Sequence, residues 1–324
     1  MLSVIVLILS FSFPSNILPL PISSFRRLDL PLTSVGPEAI TFDRFGGGPY
    51  TGISDGRVVK HNGSTFIEIF ITSPNRTSLE CDGTNNPATL GVTCGRPFGV
   101  GFYFRENQLF IADAYRGLLV GVLGKKLAVP IATGAEGVPF KFPNALDVDQ
   151  LTGDVYFTDA SARFSLSQIQ EAVATNDSTG RLLKYDRRTQ QVTVLLKNLS
   201  GAAGVAINAN RTFVLVSEFI ANRITKFWLR GPNAFKSQVV ATFQGMPDNI
   251  KRTPSGDFWV AVNVPGPGGV MLPTAIRING NGNILKTLHL EKYYKNTPIS
   301  EFQQRGFGTY YIGSRVGNFV GVIN

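Results

Sequence analysis

The sequence predicts an all-β fold, a six-bladed β-propeller with a short helix in an inter-strand insertion, and three observations carry that expectation. A short phrase recurs six times along the 324 residues: Gly36-Pro37-Glu38-Ala39-Ile40, Arg96-Pro97-Phe98-Gly99-Val100, Phe142-Pro143-Asn144-Ala145-Leu146, Gly201-Ala202-Ala203-Gly204-Val205, Met246-Pro247-Asp248-Asn249-Ile250 and Ile299-Ser300-Glu301-Phe302-Gln303. The copies are spaced from the mid-forties to about sixty residues, close to the period of propeller blades. Every copy leads to a turn and a second strand-like run, among them Leu109-Phe110-Ile111-Ala112-Asp113, Val155-Tyr156-Phe157-Thr158-Asp159 and Tyr310-Tyr311-Ile312-Gly313. Six radial sheets close a ring that leaves only short, protected edges. The third position of the phrase then faces the central channel six times, and it reads Glu38, Phe98, Asn144, Ala203, Asp248 and Glu301.

The elements follow in chain order. Met1 to Phe13 carries the apolar run Leu2-Ser3-Val4-Ile5-Val6-Leu7-Ile8-Leu9-Ser10-Phe11, too short to span a bilayer, with small residues after it at Ser15, Ser23 and Ser24. Residues 1–24 therefore read as a secretory signal peptide, although its start lacks Lys and Arg. A buried first strand is the alternative. Residues 25–324 read as one propeller domain. Phe25 to Leu32 is expected to be the strand that completes the last blade and locks the ring. The first five phrases continue directly into a strand. Between units one and two, Cys81 and Cys94 flank a Gly, Asn and Thr-rich stretch; an even pair in a secretory chain reads as a disulfide, with two buried free thiols as the rival. In unit three, Ser165 to Ala174 has apolar residues at helical spacing, with Ser165 as its cap and Gln168 three residues on. That helix is placed over one mouth of the channel. In unit five, Val264-Pro265-Gly266-Pro267-Gly268-Gly269-Val270 is a loop that shapes an entrance. It lacks the Lys-Ser/Thr of a phosphate cradle.

Charge and cysteine usage narrow the function. The balance of 31 basic to 22 acidic residues gives +9, but no basic run exceeds two residues and aromatics do not alternate with them. Nucleic-acid binding is thereby set aside in favour of a dispersed positive surface. Five Asn-X-Ser/Thr sequons, at Asn62, Asn75, Asn176, Asn198 and Asn210, agree with a glycosylated secretory chain, bound for the vacuole or the cell exterior. Two cysteines with only His61 and His289 do not make a zinc set, and two distant histidines without Gly-X-Ser-X-Gly do not make a hydrolase triad. Asp147-Val148-Asp149 before Thr152-Gly153-Asp154 is turn chemistry rather than a calcium loop.

Several phrases together resemble the plant strictosidine synthase and strictosidine synthase-like family: Gly36-Pro37-Glu38, Cys94-Gly95-Arg96-Pro97, Gly137-Val138-Pro139-Phe140-Lys141-Phe142, Val155-Tyr156-Phe157-Thr158-Asp159, Ser178-Thr179-Gly180-Arg181-Leu182-Leu183-Lys184-Tyr185-Asp186, Phe213-Val214-Leu215-Val216-Ser217-Glu218-Phe219 and Asn249-Ile250-Lys251-Arg252. The resemblance runs in order through nearly all of residues 25–324. It implies a six-bladed propeller with a disulfide-tied insertion, a secretory route that often ends in the vacuole, and a role in alkaloid biosynthesis. The family's synthases condense tryptamine with the aldehyde secologanin. Counting back from Tyr311-Ile312-Gly313 puts Glu301 on the synthases' catalytic glutamate, and Phe98, Phe142 and Phe219 on aromatic pocket positions. Ile299 stands where the synthases carry a histidine.

Two chemistries fit the channel. In a Pictet–Spengler-type condensation of an amine with an aldehyde, Glu301 is the base that removes the ring proton, desolvated toward working pH, while Phe98, Phe142 and Phe219 stack on the amine. In a calcium-dependent hydrolase, Glu38, Asn144, Asp248 and Asn249 supply the oxygen ligands a hard divalent ion prefers. The latter pattern is similar to the propeller lactonases and esterases, which carry a further asparagine where this chain has Ala203. No cofactor is certain; calcium is the one candidate. A third account makes the ring side chains mere channel lining, as in a non-catalytic binding protein. The expected partner is a small molecule, either an amine and aldehyde pair or an ester or lactone, with no nucleic acid and no membrane span.

Overall fold

The computed structural model describes residues 24–31, 33–84 and 87–324. The leader expected at 1–24 lies, but for Ser24, outside the described residues. The remainder forms six four-stranded antiparallel sheets whose strands follow one another outward from the axis. The first blade comprises Ile40–Thr41, Tyr50–Gly52, Arg57–His61 and Phe66–Ile71. The other inner strands are Pro97–Tyr103, Pro143–Val148, Ala202–Ile207, Met246–Arg252 and Glu301–Arg305. The sixth phrase thus continues into a strand as the others do.

Ring closure is visible in the core. Each apolar cluster spans a seam between neighbouring blades, and six seams are filled. Tyr50 and Phe70 of blade 1 meet Val100 and Phe102 of blade 2, and Phe110 meets Leu146 and Phe157 across the next seam. Leu182 meets Val205, Leu215 meets Ile250, and Trp259 meets Phe302. Ile40 and Val59 of blade 1 return to Val320 and Val322 of blade 6. Because a blade is covered on both faces, its middle strands are buried throughout rather than alternating, as Val155–Asp159 and Phe258–Val262 show.

The last blade is completed by Phe25–Asp29, which pairs antiparallel with Phe319–Ile323 from Phe25↔Ile323 to Asp29↔Phe319. Phe25 stacks on Tyr293 at 4.7 Å, and the Arg27 guanidinium lies 4.0 Å over the Phe319 ring. The closing strand expected at Phe25 to Leu32 is therefore present, three residues shorter. No described helix is long and apolar enough to cross a membrane.

Two insertions cover one end of the ring. Cys81 and Cys94 are bonded, with Cα atoms 5.7 Å apart, tying the short helices Ser78–Cys81 and Pro87–Cys94. The second of these packs against the unit-three insertion, a 3-10 turn Leu166–Gln168 running into the helix Ile169–Ala174. Gln168 Oε1 accepts from the Ser165 amide at 3.3 Å, so the expected cap pair is in place.

Candidate active site

In blades 2 to 5 the pairing of the inner strand slips at one equivalent point: between Pro97 and Gly99, Pro143 and Leu146, Ala202 and Val205, and Pro247 and Ile250. A bulge of this kind re-aims a side chain. The residues it re-aims are Phe98, Asn144, Ala203 and Asp248, and all four line one cavity of about 490 Å³ on the channel axis. Glu38 joins them from blade 1, its amide donating to Gly52 O at 3.4 Å. The cover helix contributes Leu166, Ile169 and Val173, and Met271 enters from the end of the unit-five loop.

The walls are aromatic and the floor is acidic. Phe98 and Phe142 meet edge to face at 5.3 Å, and Phe219 lines the same cavity. Below them Glu38 is fully buried, and Asp248 is partly open to the cavity. Burial pushes the Glu38 carboxyl up, opposed by the Arg96 and Arg315 charges. Asp248 is pushed well above the usual carboxylate range, first by burial and then by the Glu38 charge. Glu38 Oε2, Asn144 Oδ1 and Asn249 Oδ1 are buried with no hydrogen-bond partner. A buried polar atom left unpaired costs about 1–3 kcal/mol, so three acceptors around one axis mark a place built for something that donates or carries positive charge. Among the described residues no three His, Cys, Asp or Glu side chains gather as a metal cluster. Of the four candidate ligands, Glu38, Asn144 and Asp248 line the cavity, and Asn249 does not.

The sixth position needs correcting. Ser300, not Glu301, lines the cavity, and its hydroxyl donates to Glu38 O at 2.7 Å. The pairing shows why: Phe302 sits opposite Ile312 as Val100 sits opposite Ile111 and Val205 opposite Val216. Glu301 is therefore the counterpart of Ala39, Gly99, Ala145, Gly204 and Asn249. At that position neighbouring inner strands nearly touch; a Cβ on Gly204 would fall 2.5 Å from Ile250 N. Glu301 fills the seam instead. Its Oε1 accepts from the Ile40 amide at 2.7 Å, and its Oε2 lies 3.2 Å from Lys251 Nζ. Burial raises this carboxyl to about 7 even against the Lys251 charge. Glu301 is not among the residues lining the cavity, so the structure does not bring the expected base to the aromatic walls.

Of the other expected site residues, Glu38, Asn144, Asp248, Phe98, Phe142 and Phe219 come together, and Asn249 stands beside Asp248 just outside the lining. Ile299 does line the cavity. Asn263 clamps it, donating from Nδ2 to Ile299 O and accepting at Oδ1 from the Ile299 amide, both at 2.9 Å. Sequence reasoning missed Ser300, Asn263, Arg96 and Arg315. The frame error had a signal: the fifth phrase position is Ile40, Val100, Leu146, Val205 and Ile250 in five copies, but polar Gln303 in the sixth.

Comparison with known proteins agrees with this architecture. A strictosidine synthase family model matches residues 144–232, and a strictosidine synthase-like N-terminal model matches residues 22–61. The Arabidopsis thaliana protein strictosidine synthase-like 12 is 41% identical over 306 residues, covering 93% of this chain and 90% of that protein. Catharanthus roseus strictosidine synthase is 36% identical over 307 residues, covering 92% and 86%. Among solved structures, a Xanthomonas campestris gluconolactonase superposes with a TM-score of 0.60 at 14% identity, over 92% of this chain and 99% of that one. The calcium-binding protein regucalcin from Agrobacterium tumefaciens gives 0.63 at 13% identity, over 92% of each. At such identities the two structures share the fold alone.

Proposed function

The chain belongs to the strictosidine synthase family, and from that premise we propose that it is a hydrolase of esters or lactones that works with a calcium ion on the channel floor. The observation that carries this reading is the set of three buried, unpartnered oxygens, Glu38 Oε2, Asn144 Oδ1 and Asn249 Oδ1, beside the Asp248 carboxylate. All are oxygen atoms, the donor type a hard divalent ion takes, and none is a hydrogen-bond donor that would repel it. Glu38, Asn144, Asp248 and Asn249 would hold the ion, with water completing the shell on the side of Ala203. Bound there, calcium supplies Lewis-acid polarisation of a carbonyl oxygen.

The chain's own residues do the rest. Phe98, Phe142 and Phe219 hold the apolar part of the substrate, and Leu166, Ile169 and Val173 cover it from bulk water. Asp248 is the carboxylate partly open to the cavity, and Glu38 is fully buried and is a ligand only. Besides holding the ion through one oxygen of Asp248, we assign its other oxygen the proton of the attacking water, which it returns to the departing alcohol oxygen as the acyl C–O bond breaks. The test is hydrolysis of phenyl acetate and of five- and six-membered lactones before and after a chelator, with calcium restored. Turnover that disappears and returns supports the reading; turnover indifferent to the chelator removes it.

Amine–aldehyde condensation is the second reading, and one observation favours it: three unpaired acceptors also suit the N–H groups of an ammonium. The apolar Ile299 in the wall and the placement of Glu301 in a blade seam count against it. Product formation from tryptamine and secologanin, retained in the presence of a chelator, would establish it instead. We also place the chain in the secretory pathway: all five sequon asparagines are exposed and its two cysteines are bonded. A glycosidase that produces no mobility shift in protein from plant tissue would count against that.

A further inference from the structure

Beside the main cavity lies a second one, of about 210 Å³, bounded by blades 1, 2 and 6 and sharing Phe98, Leu166 and Arg315 with the first. Two arginines line it and no carboxylate does. Arg96 is completely buried. Its Nη1 donates to Gly36 O at 3.1 Å and to Pro97 O at 3.2 Å, and its guanidinium lies 4.6 Å over the Phe98 ring, but Nη2 has no partner. The nearby acids are committed elsewhere: Asp55 pairs with Arg57 and Arg76, and Asp113 Oδ2 accepts from the backbone amide of Arg96 rather than from its side chain. Glu38 acts on both arginines from a distance and forms no ion pair with either. Burial without a close counter-charge pulls Arg96 down to about 10.

We infer that this side pocket is an anion subsite that takes a carboxylate group, held by the free Nη2 of Arg96 and the guanidinium of Arg315. A buried guanidinium nitrogen without an acceptor is costly, and a carboxylate supplies two acceptors in the planar geometry that arginine matches. The remaining walls are Val35, Phe98, Leu166 and Val316, and the Ser54 hydroxyl is occupied by Thr84 O. The polar groups offered to a ligand are therefore the two guanidiniums, whose flat faces of N–H donors match the two coplanar oxygens of a carboxylate. Because the pocket adjoins the main cavity and shares the Arg315 side chain with it, the substrate class becomes an ester or lactone that also bears a carboxylate. That last step rests on the hydrolase reading; the affinity of the pocket for a carboxylate does not.

Calorimetric titration of the full chain with benzoate and with its neutral counterpart benzamide tests the assignment, in chelator so that no bound cation receives the carboxylate. Wild type is expected to bind benzoate at least ten times more tightly than benzamide. Arg315→Gln is expected to reduce that preference to less than threefold, and Arg96→Gln to do the same. Arg96 is buried, and if its variant does not fold, the exposed Arg315 decides alone. Equal affinity for the two ligands, no benzoate binding, or an undiminished preference in Arg315→Gln overturns the subsite. Intact benzoate preference with no turnover of any ester or lactone would leave the subsite standing and remove only the hydrolase reading.

Discussion

The Glu301 carboxylate lies 3.2 Å from the Lys251 ammonium and accepts the Ile40 amide at 2.7 Å, so it joins the inner strands of blades 5, 6 and 1 behind the cavity wall. An acid at this point would serve as catalytic base only if it faced the cavity; here it closes the ring. Its carboxyl, raised to about 7 from an ordinary 4.5, binds a proton more readily folded than unfolded. Folding stability from this group is therefore fully present below about pH 4.5 and falls as pH rises toward 7, by at most about 1.4 kcal/mol per pH unit. Glu301→Gln should flatten that slope in melting curves taken from pH 4.5 to 7.5, while leaving ester turnover within a few-fold. An unchanged slope, or turnover lost a thousandfold, would place the carboxylate in a different role.

Asn144→Ala separates a ligand from a structural residue. Asn144 Oδ1 has no partner, so its removal breaks no hydrogen bond and should leave the metal-free protein as stable as before, or about 1 kcal/mol more stable. Calcium affinity should fall at least tenfold. A variant that melts lower without metal and binds calcium normally would show Asn144 to be structural.

Ala203 is a cavity position in the ring that offers no ligand atom, and it is re-aimed by the same kind of bulge as Asn144. Ala203→Asn should tighten calcium binding by about tenfold, roughly 1.4 kcal/mol, on titration. No gain, with the fold intact by circular dichroism, would mean that the ion does not approach blade 4.

The Cys81–Cys94 bond closes a loop across a sequence separation of 13. Replacing both cysteines by Ala should lower stability by about 3 kcal/mol in the chain-entropy view. The second tied helix, Pro87–Cys94, packs against the cover over the cavity, so KM should rise more than kcat falls. An unchanged melting temperature would assign the insertion no part in stability.

The propeller was legible in the sequence because the blade repeat is periodic: an inner-strand phrase, a turn and a second strand rich in apolar and aromatic residues recur whatever the side chains at the channel. The closing strand at Phe25–Asp29 and the cover helix at Ile169–Ala174 followed from the same logic of alternation and capping. The channel floor was legible for Glu38, Asn144 and Asp248 because each follows the proline of the repeated phrase. Blade 6 has Ile299-Ser300 in place of that pattern, and a one-residue slip exchanges a cavity side chain for a seam side chain. Arg96 and Arg315 were hidden for another reason. Arg96 precedes the phrase proline and turns beneath it to reach Gly36 O, 60 residues away in sequence, and only the folded ring brings it beside Arg315.

The central claim is that the acidic floor is a calcium site, and elemental analysis of the purified chain after exhaustive dialysis tests it most directly, with melting followed in parallel. Close to one calcium per chain, and a melting temperature that falls on chelation and recovers with added calcium, is the predicted result. Binding at a hundredfold excess over Kd contributes about 2.7 kcal/mol, enough to be seen in the melt. No calcium in the dialysed protein and no shift in melting at millimolar calcium would contradict the claim, and would leave the unpaired oxygens of Glu38, Asn144 and Asn249 to a cationic amine.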